Sequence, residues 1–262
     1  MKEATKTPDS AKAMSGKKEK VTALVLLLFI GCIGMTFIAP ICQDINYHHF
    51  ADRSEYFSIP NFWNVVSNLP FLIIGGLGML FVTFNTKKRI APVLQPSYFI
   101  FFFGILLTGL GSSYYHWNPN NLTLLWDRLP MTISFMSFFS IIIGEFIGTK
   151  HSRILLISLL TLGIASVFYW NYSESIGCGD LRMYMAIQFF PMVLIPLIMV
   201  LFKPGNYPAK YLWFVLLAYV IAKVFERFDL EIAYFFPLSG HSVKHFFAAI
   251  APLVFLIGLR NK

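Results

Sequence analysis

"LSGHSVKHFFAAIAPLVFLIGL", Leu238–Leu259, sets the class of structure to expect of this chain. It opens with His241 and His245, one helical turn apart, and runs on as an apolar segment. A membrane-spanning helix needs about 20 such residues. Seven more runs of that kind precede it, near 21–41, 62–84, 96–116, 124–147, 153–171, 184–202 and 210–228. The composition agrees: 56% of the 262 residues are hydrophobic, 17% aromatic and only 13% charged. Mean hydropathy is +0.64, well above what a soluble domain needs. The expected class is therefore all-α, a polytopic membrane protein.

Connections between the runs are short and leave no room for a soluble domain. Residues 1–20 read as a basic, solvated tail, 21–41 as the first helix, and 42–61 as a loop before the remaining spans. Lys17, Lys18 and Lys20 before the first run resemble the start of a signal peptide. The run continues through "IGMTFIAPI", however, which is too long for a signal core and favours a retained helix. With the N-terminus in the cytoplasm and eight alternating spans, 15 of the 21 lysines and arginines fall on the inner side. That bias follows the positive-inside rule and puts the C-terminus inside as well. It also accounts for the net charge of +8 by cytoplasmic anchoring, so no nucleic-acid partner is expected. Cys32, Cys42 and Cys178 form no CxxC pair, which argues against a thiolate metal site. Cys42 and Cys178 both fall outside, where a disulfide between them is one reading.

This topology gives the paired histidines company. The third span ends outside with "LTGLGSSYYHWNP", which sets Ser112 and His116 on one helical face. The fourth starts outside with "NNLTLLWDRLPM" and brings Asp127 to the same depth. His241 and His245 enter at that level from the eighth. Each residue alone has a plain structural reading. A membrane histidine is often just a hydrogen-bonding group, Asp127 has Arg128 and Lys244 as ion-pair candidates, and a membrane serine commonly bonds back to its own helix. Five such residues at one depth weigh against five separate explanations, because ionisable groups within spans are rare and point to function. Three neutral imidazoles with one open position form the usual catalytic zinc pattern. "HSVKH" lacks the glutamate of HExxH, so Asp127 is the candidate base. Ser112 is the candidate donor to a developing oxyanion.

At these residues the chain resembles the alkaline ceramidase family. "GLGSSYYHWNPNNLTLLWDRLPM" is similar to that family's glycine, serine, histidine four residues later, and Asp followed by Leu-Pro-Met. "HSVKH" resembles its C-terminal HxxxH and "NFWNVVSN" (61–68) its first core helix, over about residues 52–259. The resemblance implies a seven-helix membrane hydrolase domain over 62–262, with the first span an addition. It implies a zinc-dependent amidase that splits ceramide-type lipids into sphingoid base and fatty acid. Zinc would be held by His116, His241 and His245, with Asp127 activating water and Ser112 stabilising the tetrahedral intermediate. Eukaryotic members also hold calcium before the first core helix. Here Asp52 and Glu55 keep a D-x-x-E spacing, while Asn61 stands where a glutamate is expected. Two readings stay open: a calcium site at Asp52, Glu55 and Asn61, and a salt-bridged loop using Arg53. Arg128 replaces the family's glutamate after the aspartate, a change that bears on headgroup recognition.

Other features are less specific. Asn61, Asn64 and Asn68 form a polar stripe suited to gluing helices together. "YFIFFF" (98–103) reads as lipid-facing surface. "GDLRMY" (179–184) and "FERFDLE" (225–231) put charges on the outer loops, either as ion pairs over the site or as contacts to a lipid headgroup. The competing functions are a zinc-dependent hydrolase of another lipid amide or ester, and a lipid receptor or transporter. Glu145, near the inner end of the fourth span, keeps a relay open for the latter. Short loops favour a bacterial inner membrane.

Overall fold

The computed structural model describes residues 8–84, 89–177 and 179–262. The first helix, α1 (Pro8–Thr36), leads through a 3-10 turn (Ile45–His48) to a two-residue hairpin, β1 (Glu55–Tyr56) and β2 (Ile59–Pro60). There follow α2 (Phe62–Val66), α3 (Leu69–Phe84), α4 (Gln95–Trp117), α5 (Asn121–Phe146) and α6 (Ser152–Ser175). The chain ends with α7 (Arg182–Leu201), α8 (Ala209–Arg227), the short α9 (Asp229–Phe235) and α10 (Gly240–Arg260). Among the described residues, seven helical segments are long and apolar enough to cross a membrane by length and composition. They are Ser15–Thr36, α2 with α3, and α4, α5, α6, α7 and α10. This is an all-α polytopic membrane protein. The sequence reading differs at α8, which carries Lys210, Lys223, Glu226 and Arg227 and so is less apolar than the seven. It is still a helix of 19 residues, or about 28 Å at 1.5 Å per residue, and lies antiparallel to α10.

Two backbone contacts set the bundle where the candidate residues lie. Pro130 inside α5 has no N–H, so the Trp126 carbonyl lacks its usual helical partner. Gly111 of α4 lies directly against that carbonyl, where any Cβ would collide with it. Glycine lets the two backbones meet at the level of Ser112 and Asp127. At the start of α10, a Cβ on Gly240 would run into the Phe225 carbonyl of α8. The N-terminus of α10 is therefore seated on the end of α8.

The run expected at 62–84 is interrupted between α2 and α3 at Ser67–Asn68. Short polar side chains there bond to nearby backbone: Ser67 Oγ donates to the Asn64 carbonyl (3.2 Å) and Asn68 Nδ2 to the same oxygen (2.8 Å). The 98–103 aromatic run is not all lipid-facing. Tyr98, Phe101 and Phe102 are buried, whereas Phe99 and Phe103 are exposed. Helical periodicity divides the run, and Phe255 of α10 packs on the buried three, with Tyr98 stacked 5.6 Å away. Nearby, Glu145 forms a buried ion pair with Lys262 (2.6 Å) and accepts from the Tyr98 hydroxyl (2.9 Å).

The segment after α1 is fastened across the end of the bundle where α4 finishes and α10 starts. The Leu181 N–H donates to the Ile41 carbonyl (2.9 Å), Arg182 to the Ile38 carbonyl (2.6 Å), and the Gln43 N–H to Glu174 (2.8 Å). This strap brings His48, Phe50 and Asp52 over the histidine end.

Candidate metal centre

Two helices, α4 and α10, deliver the histidines. In α10, Ser239 caps the helix by accepting from the Ser242 N–H (3.1 Å), and Asp229 accepts from the His241 N–H (2.7 Å). The first turn is thereby held, with His241 and His245 on its inner face. In α4, His116 lies in the last turn, and its carbonyl accepts from Asn61 Nδ2 (2.9 Å). The break between α2 and α3 presents Ser67, whose hydroxyl lies 2.7 Å from His245 Nδ1. His116, His241 and His245 are all buried, and one ring nitrogen from each lies within 4.8 Å of the others. His116 Nε2 and His241 Nε2 stand 3.2 Å apart. Two nitrogens bound to one tetrahedral zinc at about 2.0–2.1 Å would be separated by roughly 3.3 Å, so the arrangement fits such an ion.

Asp127, two turns into α5, is buried with the Ser112 side chain of α4 close by, one turn before His116. Asp127 makes no ion pair among the described residues. Phe50 from the strap covers the rings, its centroid 4.7 Å from that of His116 and 4.4 Å from that of His241. A buried histidine cluster beside a carboxylate–hydroxyl pair is equipped to bind a metal ion, move a proton and donate to an oxyanion. Among comparisons with known proteins, the family model described as Ceramidase matches residues 46–225. The chain belongs to the ceramidase family. A comparison with curated proteins gives no significant match. The ceramidase match takes in Ser112, His116 and Asp127 but stops before α10. It is the fold that adds His241 and His245 to the same site.

Other expected residues of this ceramidase family member have separate roles. Asp52 accepts from Ser54 N–H and Oγ (3.1 and 2.6 Å) and from the Asn64 N–H (2.8 Å). Glu55 is exposed in β1, and Asn61, at a left-handed φ of 50°, spends its amide on His116. These three residues are not gathered into a carboxylate cluster. The triad is the one group of three or more His, Cys, Asp or Glu side chains spaced to hold a metal ion among the described residues. Arg53 makes no ion pair among them either, so the salt-bridged loop does not form. Arg128 turns away from Asp127 and lies between Trp170 (4.2 Å) and Tyr184 (4.7 Å), with Nη2 donating to Gln43 (2.6 Å). There the Gln43 bond ties the strap to α5, while cation–π contact with Trp170 and Tyr184 holds the guanidinium against α6 and α7. Cys178 lies outside the described residues, and with it the expected disulfide to Cys42.

Of the loop charges, Asp180, Arg182 and Glu226 are ion-paired, while Asp229 accepts the backbone N–H groups of Ala51 and His241. Arg182 holds Asp180 (2.7 Å), and its hydrogen bonds keep that carboxyl down to about 2. Lys244 pairs with Glu226 (3.0 Å) while its ammonium also stands 3.1 Å from His241 Nε2. That second contact must open when a cation is held by the triad. Sequence reasoning missed Ser67, Phe50 and Asp229. Only Ser67 left a signal, as a third polar residue beside the asparagine stripe.

Proposed function

We propose that this protein is an integral-membrane, zinc-dependent amidase. It hydrolyses the N-acyl bond of a ceramide-type lipid to a sphingoid base and a fatty acid, in a bacterial inner membrane. The observation that carries the reading is the meeting of three buried imidazoles with the Asp127–Ser112 pair at one end of the bundle. Family membership supports the amide as the bond cleaved. Zinc on three imidazoles supplies a Lewis acid and lowers the pKa of water to about 7.

The residues divide the remaining work. Ser67 holds His245 Nδ1, which keeps that ring oriented with Nε2 toward the triad. Asp127 takes a proton from the attacking water as oxygen adds to the amide carbon, then returns it to the leaving nitrogen. Ser112, close to Asp127, gives its hydroxyl proton as a hydrogen bond to the carbonyl oxygen as negative charge develops there. Phe50 and the buried surroundings keep bulk water from the reacting bond.

The test is fatty-acid release from a panel of ceramides, phytoceramides and acyl esters by zinc-loaded protein in detergent. Asp127→Asn should retain the metal and lose about 10²–10⁴-fold in rate. Ser112→Ala should lose roughly 10²–10³-fold. Parent-level hydrolysis by Asp127→Asn would overturn the mechanism. Cleavage of esters alone would replace amide by ester as the substrate.

A further inference from the structure

A cavity of about 560 Å³ adjoins the triad and is used by none of the steps above. Phe50 and Asn61 belong to both: they line the cavity, while the Phe50 ring covers His116 and His241 and the Asn61 amide holds the His116 carbonyl. A group in the cavity is therefore separated from the histidines by one aromatic ring. Among the described residues the lining holds no carboxylate, and Arg53 is its one fixed charge. Asp52, next in the chain, is turned inward onto Ser54 and Asn64. Arg53 is exposed and has no ion-pair partner among the described residues.

The remaining polar groups add donors. His48, at the rim, sits between the Tyr115 hydroxyl (2.9 Å from Nδ1) and the Asn121 side-chain oxygen (2.8 Å from Nε2). Burial lowers its pKa, and a neutral ring with its proton on Nε2 satisfies both contacts. Asn121 thus spends its oxygen on His48, which leaves its NH₂ for a ligand. Asn120 uses its oxygen to cap α5 and its nitrogen on the Asn118 carbonyl. What the cavity offers a ligand is a guanidinium fork, an amide NH₂ and the exposed His49 ring. Such a donor set suits a tetrahedral anion, whose oxygens guanidinium groups recognise in bidentate fashion.

We propose that this cavity is the headgroup site and that the lipid it takes carries a phosphate or sulfonate at its polar end, held by Arg53 with Asn121 beside it. The proposal rests on the hydrolase reading of the triad. Because Phe50 and Asn61 are shared walls, an anion seated here leaves the rest of the same molecule beside the histidines.

Isothermal titration calorimetry of the full chain in a non-ionic detergent tests this without any turnover. The probes are submicellar octyl phosphate, a neutral octyl glycerol ether and inorganic phosphate. The parent should bind octyl phosphate at least tenfold more tightly than either of the others. Arg53→Gln should weaken octyl phosphate by about tenfold, as for loss of a charged hydrogen bond. Arg153→Gln, an equal loss of charge at the opposite end of the bundle, should leave it unchanged. Equal binding of both octyl lipids, no effect of Arg53→Gln, or equal losses in the two variants would overturn the headgroup site. Inorganic phosphate binding as tightly as octyl phosphate would overturn the lipid origin of the anion. If Arg53-dependent binding holds while no acyl lipid is cleaved, the hydrolase reading fails and the anion site stands.

Discussion

Ser67 decides which nitrogen of His245 faces the other two histidines. Its hydroxyl occupies Nδ1 at 2.7 Å, so Nε2 is the nitrogen left for a metal ion. Partners of this kind fix ring orientation, and their loss typically costs 10–100-fold in metal affinity. Ser67→Ala should therefore weaken zinc binding by about that factor in a chelator competition, and Ser67→Thr, which keeps the hydroxyl, should restore most of it. Parent affinity in Ser67→Ala would remove Ser67 from the site. His116 contrasts with His245: its Nδ1 is buried with no hydrogen-bonding partner among the described residues. Residues at this scale were unevenly legible in the sequence. His116 with Ser112, and His241 with His245, declared themselves because a four-residue spacing puts side chains on one helical face. Asp127 followed from the alternating direction of the spans. Ser67 reaches His245 across 178 residues of chain, and no local pattern marks such a pair. Phe50 was illegible for another reason, since its place depends on a strap fastened by Arg128 and Arg182.

At the level of elements, the site depends on how closely α4 approaches α5. Gly111 and the free Trp126 carbonyl left by Pro130 make that approach, one residue from Ser112 and one from Asp127. Gly111→Ala would place a methyl group inside the carbonyl oxygen, and the helices would have to part. Overpacking of this type costs about 1–3 kcal/mol. The expected outcome is a lower thermal midpoint in detergent together with loss of hydrolysis, since Ser112 and Asp127 would separate. Gly34→Ala is the control, because a Cβ there meets nothing within 4 Å among the described residues. An unchanged midpoint for Gly111→Ala would show that the helices are not in close contact. Hydropathy marked these helices well, yet it does not report backbone proximity. It also ran α2 and α3 together, because Asn64, Ser67 and Asn68 are too few to offset the apolar residues around them. In the 98–103 run, composition alone could not say which faces are covered; Phe255, far along the chain, covers one of them.

On the scale of the whole molecule, the direction of every helix follows from the site. α4 ends at the histidines, α5 starts there, and α10 starts there again, so α8 has to cross the bundle despite its charges. The Lys244–Glu226 contact places the end of α8 at the histidine end. Arg89, Lys150, Arg153, Lys203, Lys210, Arg260 and Lys262 then lie toward the opposite end. At the histidine end Arg128 is enclosed by aromatic rings, and Arg182 and Lys244 are paired with carboxylates. Among the described residues Arg53 and Arg227 remain unpaired there, and Lys262 is paired with Glu145. Most of the unpaired basic charge nevertheless lies opposite the site, and short basic loops are retained in the cytoplasm. The expected orientation has both termini inside and the histidines toward the outer face. Reporter fusions after Lys150, after Lys203 and at the C-terminus should report cytoplasm, and a fusion after Asn120 should report the outside. A C-terminal reporter found outside would leave an odd number of crossings and break the convergence of α4, α5 and α10. If instead every reporter changed side together, the convergence would survive, and the site would face lipids of the inner leaflet.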